Sequence, residues 1–543
     1  MIRLLSTSAA ALMIAAAPVF AEVTPAQVWE ALVQNYRESG LTLTEGSRDQ
    51  AGDTLTISNV TIDADTMMPA PVDGAEAAVT FALQIPRVVL TTTGDGNVRT
   101  VFEGDWTGAI NAPDPEGEPG TPMTLTIAMP GNEMVTSGSP EAMNHTLNYP
   151  EMNGTITLRD PNGTEVPVNF TVTDTKGTYN TTGTAGTGTQ TDYDLTSAGA
   201  TISIDSAIPG EDGQPGGHVK ADLALKEMTG TGTMNMPAGD HDMSANGMNA
   251  ALRAGAELTA DMTFAGYDGT ADFSGQDEDG NDQSGNISFT AGKGGLAVSM
   301  NNQAISYSGN AESASVDMTV NTMPFPMSYA VGPQSFDVKL PVMASDQAQP
   351  FSVKYALEDL TLGDAIWGLF DPTAQLPRDP ASLTVDVSGD LLVTRDLMDP
   401  EFEQRMIAAT TPQGDATELS AEQLAELEAL QDEAVPFQPV KLALNQIALR
   451  AIGATADVKG ELTAAPDGDF SQPVGTIDGS FTGVNTLLDR LASLGLIPQE
   501  QVAGARMMLM IFAKPVAGQE DALETHIEMR EDGSVFANGQ QMR

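Results

Sequence analysis

The chain has 543 residues, 41% of them hydrophobic, and its 24 basic and 74 acidic side chains give a formal net charge of −50 at pH 7. That charge argues against nucleic acids and against surfaces of anionic lipid headgroups as partners, since both require a basic protein surface. The hydrophobic fraction is sufficient for a packed core and excludes a wholly disordered chain. The chain has no cysteine and hence no disulfides, and its 27 methionines and 5% aromatic residues predict a core of small and flexible side chains.

The first 21 residues have the pattern of a secretory signal peptide. Arg3 supplies the positive start, an apolar stretch follows as far as Ala17, and cleavage is expected after Ala21. The apolar stretch is shorter than the roughly 20 residues of a membrane-spanning helix and ends at Pro18. We therefore expect an exported periplasmic protein, with an extracellular location as the alternative, and not an integral membrane protein.

The mature part is expected to begin with a helix over residues 25–39. Thr24 to Gln27 form a capping box with Pro25 at the first helical position, and Gly40 is a stop signal. Residues 22–340 are otherwise dominated by strands with apolar and polar residues in strict alternation, apart from a short helix at 248–254. Such alternation predicts antiparallel sheet with one buried face. The clearest alternating segments are 166–172, 258–264, 296–300, 316–320 and 336–340.

Residues 341–543 are expected to form a mixed C-terminal region. Helices are predicted at 363–370, 421–434, 484–494 and 498–512, and in the second of these Leu424, Leu427 and Leu430 are expected to face inward. Strands are predicted at 383–387 and 442–462, followed by a terminal hairpin at 525–537. The predicted fold class is α+β, mostly antiparallel β: a large curved sheet, a β-sandwich or a groove, with an N-terminal helix and several C-terminal helices.

Several stretches of the mature chain resemble a known family. They are Leu357 to Leu362, Ile366 to Pro372, Leu376 to Ala381, Leu494 to Pro498 and the terminal Asn538-Gly-Gln540. Together with the signal and the helix around Trp29, these resemble the domain of unknown function 2125 family over essentially all of residues 22–543. The resemblance implies export by a Gram-negative alphaproteobacterium, and it implies no catalytic residue because the family has no established activity.

Catalytic motifs are scarce. The four histidines at 145, 218, 241 and 526 are expected in loops or at strand edges, without a second histidine nearby. The His-Glu-x-x-His, Gly-x-Ser-x-Gly and phosphate-loop patterns do not occur in the sequence, and the lack of cysteine removes thiol nucleophiles. We therefore predict no catalytic residue and no cofactor.

One acidic loop could hold Ca²⁺. Asp277, Asp279 and Asn281 alternate along the loop, and their oxygens can converge on a cation. The loop departs from the EF-hand pattern, with Asp282 where that pattern requires glycine and Ser288 in place of the bidentate glutamate. A hairpin loop without a metal is the alternative, and these departures favour it.

The segment around Arg378 is the second candidate site. Arg378 and Asp379 lie between two prolines, which restrict the backbone to extended conformations, and Trp367 is close in the sequence. In so acidic a chain, a rigid arginine is expected to pair with a carboxylate as a structural clamp. A site for a ligand carboxylate is the alternative.

Three functions remain open from the sequence. The first is a non-catalytic envelope protein that binds an apolar ligand, such as a lipid, or an envelope protein partner on an extended β-surface. The second is a secreted carbohydrate hydrolase, which requires two carboxylates facing Trp106 or Trp367. The third is a self-associating surface or matrix protein.

Overall fold

The computed structural model describes residues 23–69, 76–111, 123–159, 164–208, 216–244, 247–276, 280–401, 405, 419–421, 423–425, 427, 437–465, 468 and 470–543. The predicted signal peptide, Asp277 and Asp279 lie outside the described residues. The domain boundary expected at residues 340 and 341 stays a prediction.

The helices whose full extent is described are short. In α1, the side chain of Thr24 accepts a hydrogen bond from the backbone of Gln27 at 3.3 Å, and the Gln27 side chain accepts one from the backbone of Thr24 at 3.0 Å. This reciprocal pair satisfies two backbone donors at the helix start. The helices are α1 (Pro25–Glu38), α2 (Met248–Ala254), α3 (Asp364–Phe370), α4 (Val484–Ser493) and α5 (Gln499–Phe512).

The first half of the chain contains the longest strands. They are rich in threonine and valine, residues that fit a pleated and half-buried surface. The strands are β1 (Thr42–Thr44), β2 (Ser47–Ala51), β3 (Thr54–Pro69), β4 (Glu76–Thr92), β5 (Val98–Glu103), β6 (Trp106–Asn111), β7 (Met123–Ala128), β8 (Glu133–Ser139), β9 (Ala142–Arg159), β10 (Glu165–Thr184), β11 (Gly188–Ile208), β12 (Gly217–Met236) and β13 (Glu257–Gln276).

The second half alternates shorter strands with α3, α4 and α5. The strands are β14 (Asp282–Ala291), β15 (Gly294–Met300), β16 (Ala304–Ala311), β17 (Ala314–Val320), β18 (Met327–Val331), β19 (Gln334–Pro341), β20 (Gln349–Leu362), β21 (Ala381–Val393), β22 (Phe437–Ala451), β23 (Ala454–Thr463), β24 (Val474–Thr482), β25 (Lys514–Pro515), β26 (Ala522–Met529), β27 (Val535–Ala537) and β28 (Gln540–Gln541).

All of these strands belong to one 28-stranded antiparallel sheet. Neighbours in the chain are neighbours in the sheet, as in the run from β9 to β13. Where strands are short, two of them share one long partner: β14 and β15 both pair with β13. The ladder also continues from β19 to β20, across residues 340 and 341. The prediction of a mostly antiparallel β fold is confirmed.

Several strands are interrupted by a residue with positive φ. Asp174 near the middle of β10, Glu227 near the middle of β12 and Asp359 near the end of β20 adopt φ angles of 52°, 44° and 54°. A left-handed non-glycine residue costs about 1–2 kcal/mol, and here the ladders on both sides hold it in place. Between β12 and β13, for example, Lys226 pairs with Gly266 and Met228 with Phe264, so Glu227 leaves the ladder.

The interruption keeps the apolar residues on one side of the sheet. Ile57 and Val60 flank Asn59, which has φ 53°, and both are fully buried in the same core cluster. The rings of Phe264 and Tyr267 lie across the corresponding interruption of β13 with centroids 5.9 Å apart. The apolar residues are at odd-numbered positions on one side of the interruption and at even-numbered positions on the other. Because the interruption shifts the alternation by one residue, both halves of the strand present their apolar side chains on the same face.

Helices cover this face at two places. Val28 and Trp29 of α1 pack into the first core cluster with the apolar residues of β3 and β4, including Leu55 and Leu90. Leu252 of α2 packs into a second cluster with methionines and aliphatic residues at the strand ends. Members of the second cluster are Met236, Ala251, Leu252, Ala256, Met300, Ile305, Val342 and Met343.

The stretch 442–462 forms strands as expected, as parts of β22 and β23, which are joined by a turn at Ile452 and Gly453, both with positive φ. Two other sequence expectations need correction. The capping box of Ser420 and Gln423 is present, with hydrogen bonds of 3.1 and 3.2 Å, but Leu424 is 53% exposed and does not face inward. His145 lies in the middle of β9 and is fully buried, not in a loop or at an edge.

Candidate functional site

The most extensive feature of the apolar face is a single row of cross-strand partners. Residues directly opposite one another in antiparallel strands project on the same side of the sheet. Each member of this row, called the apolar row below, is the register partner of the next, and none is charged. From β3 to β26 they are Leu55, Leu90, Thr100, Met134, Leu147, Gly177, Leu195, Gly230, Met262, Leu296, Gly309, Phe336, Tyr355, Val385, Ile447, Val458, Gly479 and Thr525.

The apolar row is covered at its N-terminal end and open in its middle. Under α1, Leu90 is 0% exposed, whereas Met262 is 40% and Leu296 45% exposed. Phe336 and Tyr355, further along the row, are also exposed. From β13 to β20 this open part crosses four strand-to-strand steps, roughly 20 Å at the usual strand spacing. Contiguous exposed apolar surface of this kind marks a site of interaction.

Aromatic rings lie flat on the same face because glycines stand opposite them. A Cβ atom on Gly309 would lie 2.6 Å from the Phe336 ring, and one on Gly154 would lie 2.0 Å from the Phe170 ring. The rings therefore occupy the space that an opposing side chain would fill and do not stand out from the sheet. The directly opposed pairs are Gly154–Phe170, Gly232–Tyr193, Gly269–Phe289, Gly285–Phe273, Gly294–Phe264, Gly309–Phe336 and Gly389–Phe351.

The chemistry of the open face is almost entirely apolar contact. The backbone donors and acceptors beneath it are engaged in the sheet ladders, so they are not free to recognise a polar ligand. A depression of about 470 Å³ lies over β11 to β14, and Ile202, Leu223 and Phe289 are part of its lining. The side of the sheet opposite to the row carries polar pairs, such as Asn286 with Asp272 at 2.7 Å.

A polar cluster lies beneath the C-terminal end of α1. The Asn35 amide donates to the Thr181 hydroxyl at 3.4 Å, and the Thr189 hydroxyl donates to the buried Glu38 carboxylate at 2.8 Å. His145 Nδ1 lies 2.8 Å from the Thr136 hydroxyl, while its Nε2 has no hydrogen-bond partner among the described residues.

Burial lowers the pKa of His145 to about 4, because desolvation penalises the charged ring. The unfolded chain, with a histidine pKa near the usual ~6.5, therefore takes up this proton first as the pH falls. The stability contributed by the neutral ring is complete above about pH 6.5 and is lost as the pH falls toward 4. The cluster anchors α1 over the N-terminal part of the apolar row.

The Arg378 segment packs against α3. Arg378 Nη1 lies 2.8 Å from the Asp364 carboxylate, and the guanidinium carbon lies 5.5 Å from the centre of the Trp367 ring. Trp367 is buried, whereas Asp379 is exposed. These contacts involve only residues of this chain, and the choice between a clamp and a ligand site stays a prediction.

The acidic loop is described only from residue 280 onward. Asn281 is described but Asp277 and Asp279 are not, so a Ca²⁺ site formed by the three stays a prediction. Within the described ranges, no group of three or more histidine, aspartate or glutamate side chains is arranged to hold a metal ion.

Polar side chains do converge on the strands near the C-terminus. His526 Nδ1 lies 2.6 Å from the Asp478 carboxylate, and Lys514 Nζ lies 3.1 Å from that of Glu524. These groups border a depression of about 350 Å³ and are half-exposed. Exposed cross-strand polar pairs of this kind stabilise a sheet only slightly.

No protein-family model matches this chain, and no curated protein or solved structure is significantly similar to it. The resemblance to the domain of unknown function 2125 family therefore stays a prediction. Across the part of the chain that the structure describes, no helix has both the length and the hydropathy of a membrane span.

The apolar row and its flat rings were not found from the sequence. A usable signal exists, because the paired glycines occur at apolar positions of strands, where glycine weakens a strand unless a neighbour compensates. Gly232, Gly269 and Gly309 are examples. The aromatic partner of each glycine can be identified only when the register between the two paired strands is known, and the sequence of one strand does not give that register.

Proposed function

We propose that this protein binds hydrocarbon chains, such as those of fatty acids or phospholipids, along the open part of the apolar row. In this proposal the row is the floor of a groove in a curved sheet, and the protein is a non-catalytic component of the cell envelope. The predicted signal peptide supports a periplasmic location.

The observation that carries the proposal is the contrast within one row. Leu90 and Leu296 are the same residue type on the same face, yet one is completely buried and the other nearly half exposed. An apolar surface that is covered at one end and open over the next strands needs an occupant to remove it from water.

The chemistry of the row favours a hydrocarbon over a polar occupant. A sugar or a peptide needs several hydrogen bonds. The exposed members of the row, Met262, Leu296, Phe336 and Tyr355, offer one hydroxyl, and the exposed Tyr307 beside the row adds a second. Methionine side chains and rings that lie flat can adapt to flexible chains of different lengths. Carbohydrate hydrolysis has less support: Trp106 packs edge-on against Phe102, with centroids 5.2 Å apart.

The proposal can be tested with the purified mature protein and the dye ANS. The native protein should enhance the dye's fluorescence, and palmitate should displace the dye at stoichiometric concentrations. A folded protein that leaves the dye unbound would rule out the open groove.

Glutamine substitutions locate the site. The double variant Met262→Gln and Leu296→Gln should bind palmitate at least about tenfold more weakly, because each amide is desolvated without a partner. Met323→Gln is the matched control, since Met323 is exposed in the turn between β17 and β18 and lies outside the row. Equal affinities for the two variants would place the palmitate site elsewhere.

A further inference from the structure

The second half of α5 is an exposed apolar surface. Met507, Met508, Met510, Ile511 and Phe512, called the α5 patch below, are all exposed, and Met510 reaches 76%. Their positions spread over much of the helix circumference, so no single neighbouring element could bury all of them. Val502 is the one residue in α5 that is buried, and it belongs to the first half of the helix.

The patch adjoins the end of the apolar row. Thr525, the last member of the row, donates its hydroxyl hydrogen bond to the backbone carbonyl of Phe512, which ends α5. The Asn538 amide donates to the same carbonyl at 3.0 Å. The helix is thus attached to the sheet where the row ends.

The charges around the patch favour an uncharged apolar partner. Arg506 and Lys514 border the apolar run, but Arg506 pairs with Asp489 at 2.6 Å and Lys514 with Glu524 at 3.1 Å. Their positive charges are therefore compensated locally, and an anionic surface gains little from them. A second copy of a chain with a net charge of −50 is disfavoured by repulsion.

We infer that the α5 patch docks the protein on the surface of a zwitterionic phospholipid bilayer, with the methionine and phenylalanine side chains inserted among the acyl chains. This inference rests on the proposed function, because a protein that binds acyl chains must exchange them with a membrane. Docking at the β26 end of the row places the bilayer at one end of the row, five strand-to-strand steps or roughly 24 Å from the open part at β20, so that acyl chains would reach it along the row. The interaction is peripheral and reversible, as for interfacial helices that insert one apolar face.

Flotation with phosphatidylcholine vesicles tests the inference. The wild-type protein should float with the vesicles at low and at high salt, since apolar insertion is not screened. The double variant Met507→Gln and Met510→Gln should bind the vesicles at least about tenfold more weakly, because two inserted apolar side chains are lost. Glutamine has a helix propensity close to that of methionine, so α5 is retained. Met323→Gln is the control and should float like the wild type.

Vesicles of a different charge and the oligomeric state in solution distinguish this inference from the alternatives. Vesicles containing phosphatidylglycerol should bind less protein at low salt because the acidic chain is repelled. Binding to these vesicles alone, lost at high salt, would overturn the inference, as would equal flotation of the double variant. A wild-type dimer in vesicle-free solution that the double variant dissociates would instead assign the patch to a second copy.

The same variants distinguish this inference from the proposed function. The α5 double variant should bind palmitate in solution as the wild type does. The row variant with Met262→Gln and Leu296→Gln should float normally but bind palmitate weakly. Normal flotation of the wild type without any palmitate binding would retain the docking surface and remove the groove.

Discussion

Replacing leucine by alanine at two positions of the apolar row tests the difference in coverage directly. Leu90 and Leu296 have the same side chain on the same face, and they differ in exposure, 0% against 45%. At Leu90 the substitution leaves a cavity under α1, and we expect a loss of about 3 kcal/mol in the free energy of unfolding. At Leu296 solvent already reaches the side chain and fills the space, so we expect about 1 kcal/mol or less.

The assay is urea-induced unfolding of both variants and the wild type, followed by far-UV circular dichroism and tryptophan fluorescence. Two of the three tryptophans, Trp29 and Trp106, pack in the same cluster as Leu90, so with Trp367→Phe as the common background fluorescence reports on that end of the sheet. If the sheet unfolds in steps, as proteins with mainly local contacts can, Leu90→Ala should shift the step seen by fluorescence. An equal loss at both positions would refute the reasoning, since it would mean that the middle of the row is covered in solution.

Three further predictions concern other parts of the fold. Gly309→Ala should lower the melting temperature by the equivalent of about 1–3 kcal/mol, because the added Cβ meets the Phe336 ring. Gly230→Ala is the control and should leave the melting temperature unchanged, because its Cβ meets no atom within 4 Å. Equal effects of the two substitutions would contradict the packing of rings on glycines. His145→Gln should flatten the fall in melting temperature between about pH 6.5 and 4.5, and an unchanged slope in a pH-dependent thermal scan would assign that fall to other groups. Arg378→Ala should cost about 1 kcal/mol or less and leave palmitate affinity unchanged if the arginine is a structural clamp; a loss of palmitate affinity would favour a ligand-carboxylate site.

The secondary structure is largely predictable because its signals are local. Alternation over 258–264 predicts a strand that lies within β13, and the turn residues around Gly495 predict the separation of α4 from α5. The capping boxes at Thr24 and Ser420 are also local and are present. The turn at Ile452 and Gly453 is not located by these signals, because it divides a strand-like stretch whose apolar residues continue on both sides.

The open face is not predictable from these signals. Leu90 and Leu296 both lie in apolar stretches typical of strands, and the docking of α1 covers one of them while the other stays exposed. The interruption at Glu227 cannot be predicted from the sequence either. Glutamate has no preference for positive φ, and the ladders on both sides impose this conformation. Coverage and register are properties of the whole sheet.

The most direct test of the central claim uses a solvatochromic thiol label at neighbouring positions on opposite faces. The chain has no cysteine, so Met262→Cys and Thr263→Cys each carry a single label. Met262 belongs to the apolar row, whereas Thr263 is exposed on the other face. Palmitate should shift the emission of the label at position 262 to shorter wavelength and leave that at position 263 unchanged. An unchanged label at 262, under conditions where palmitate binds the protein, would contradict the account.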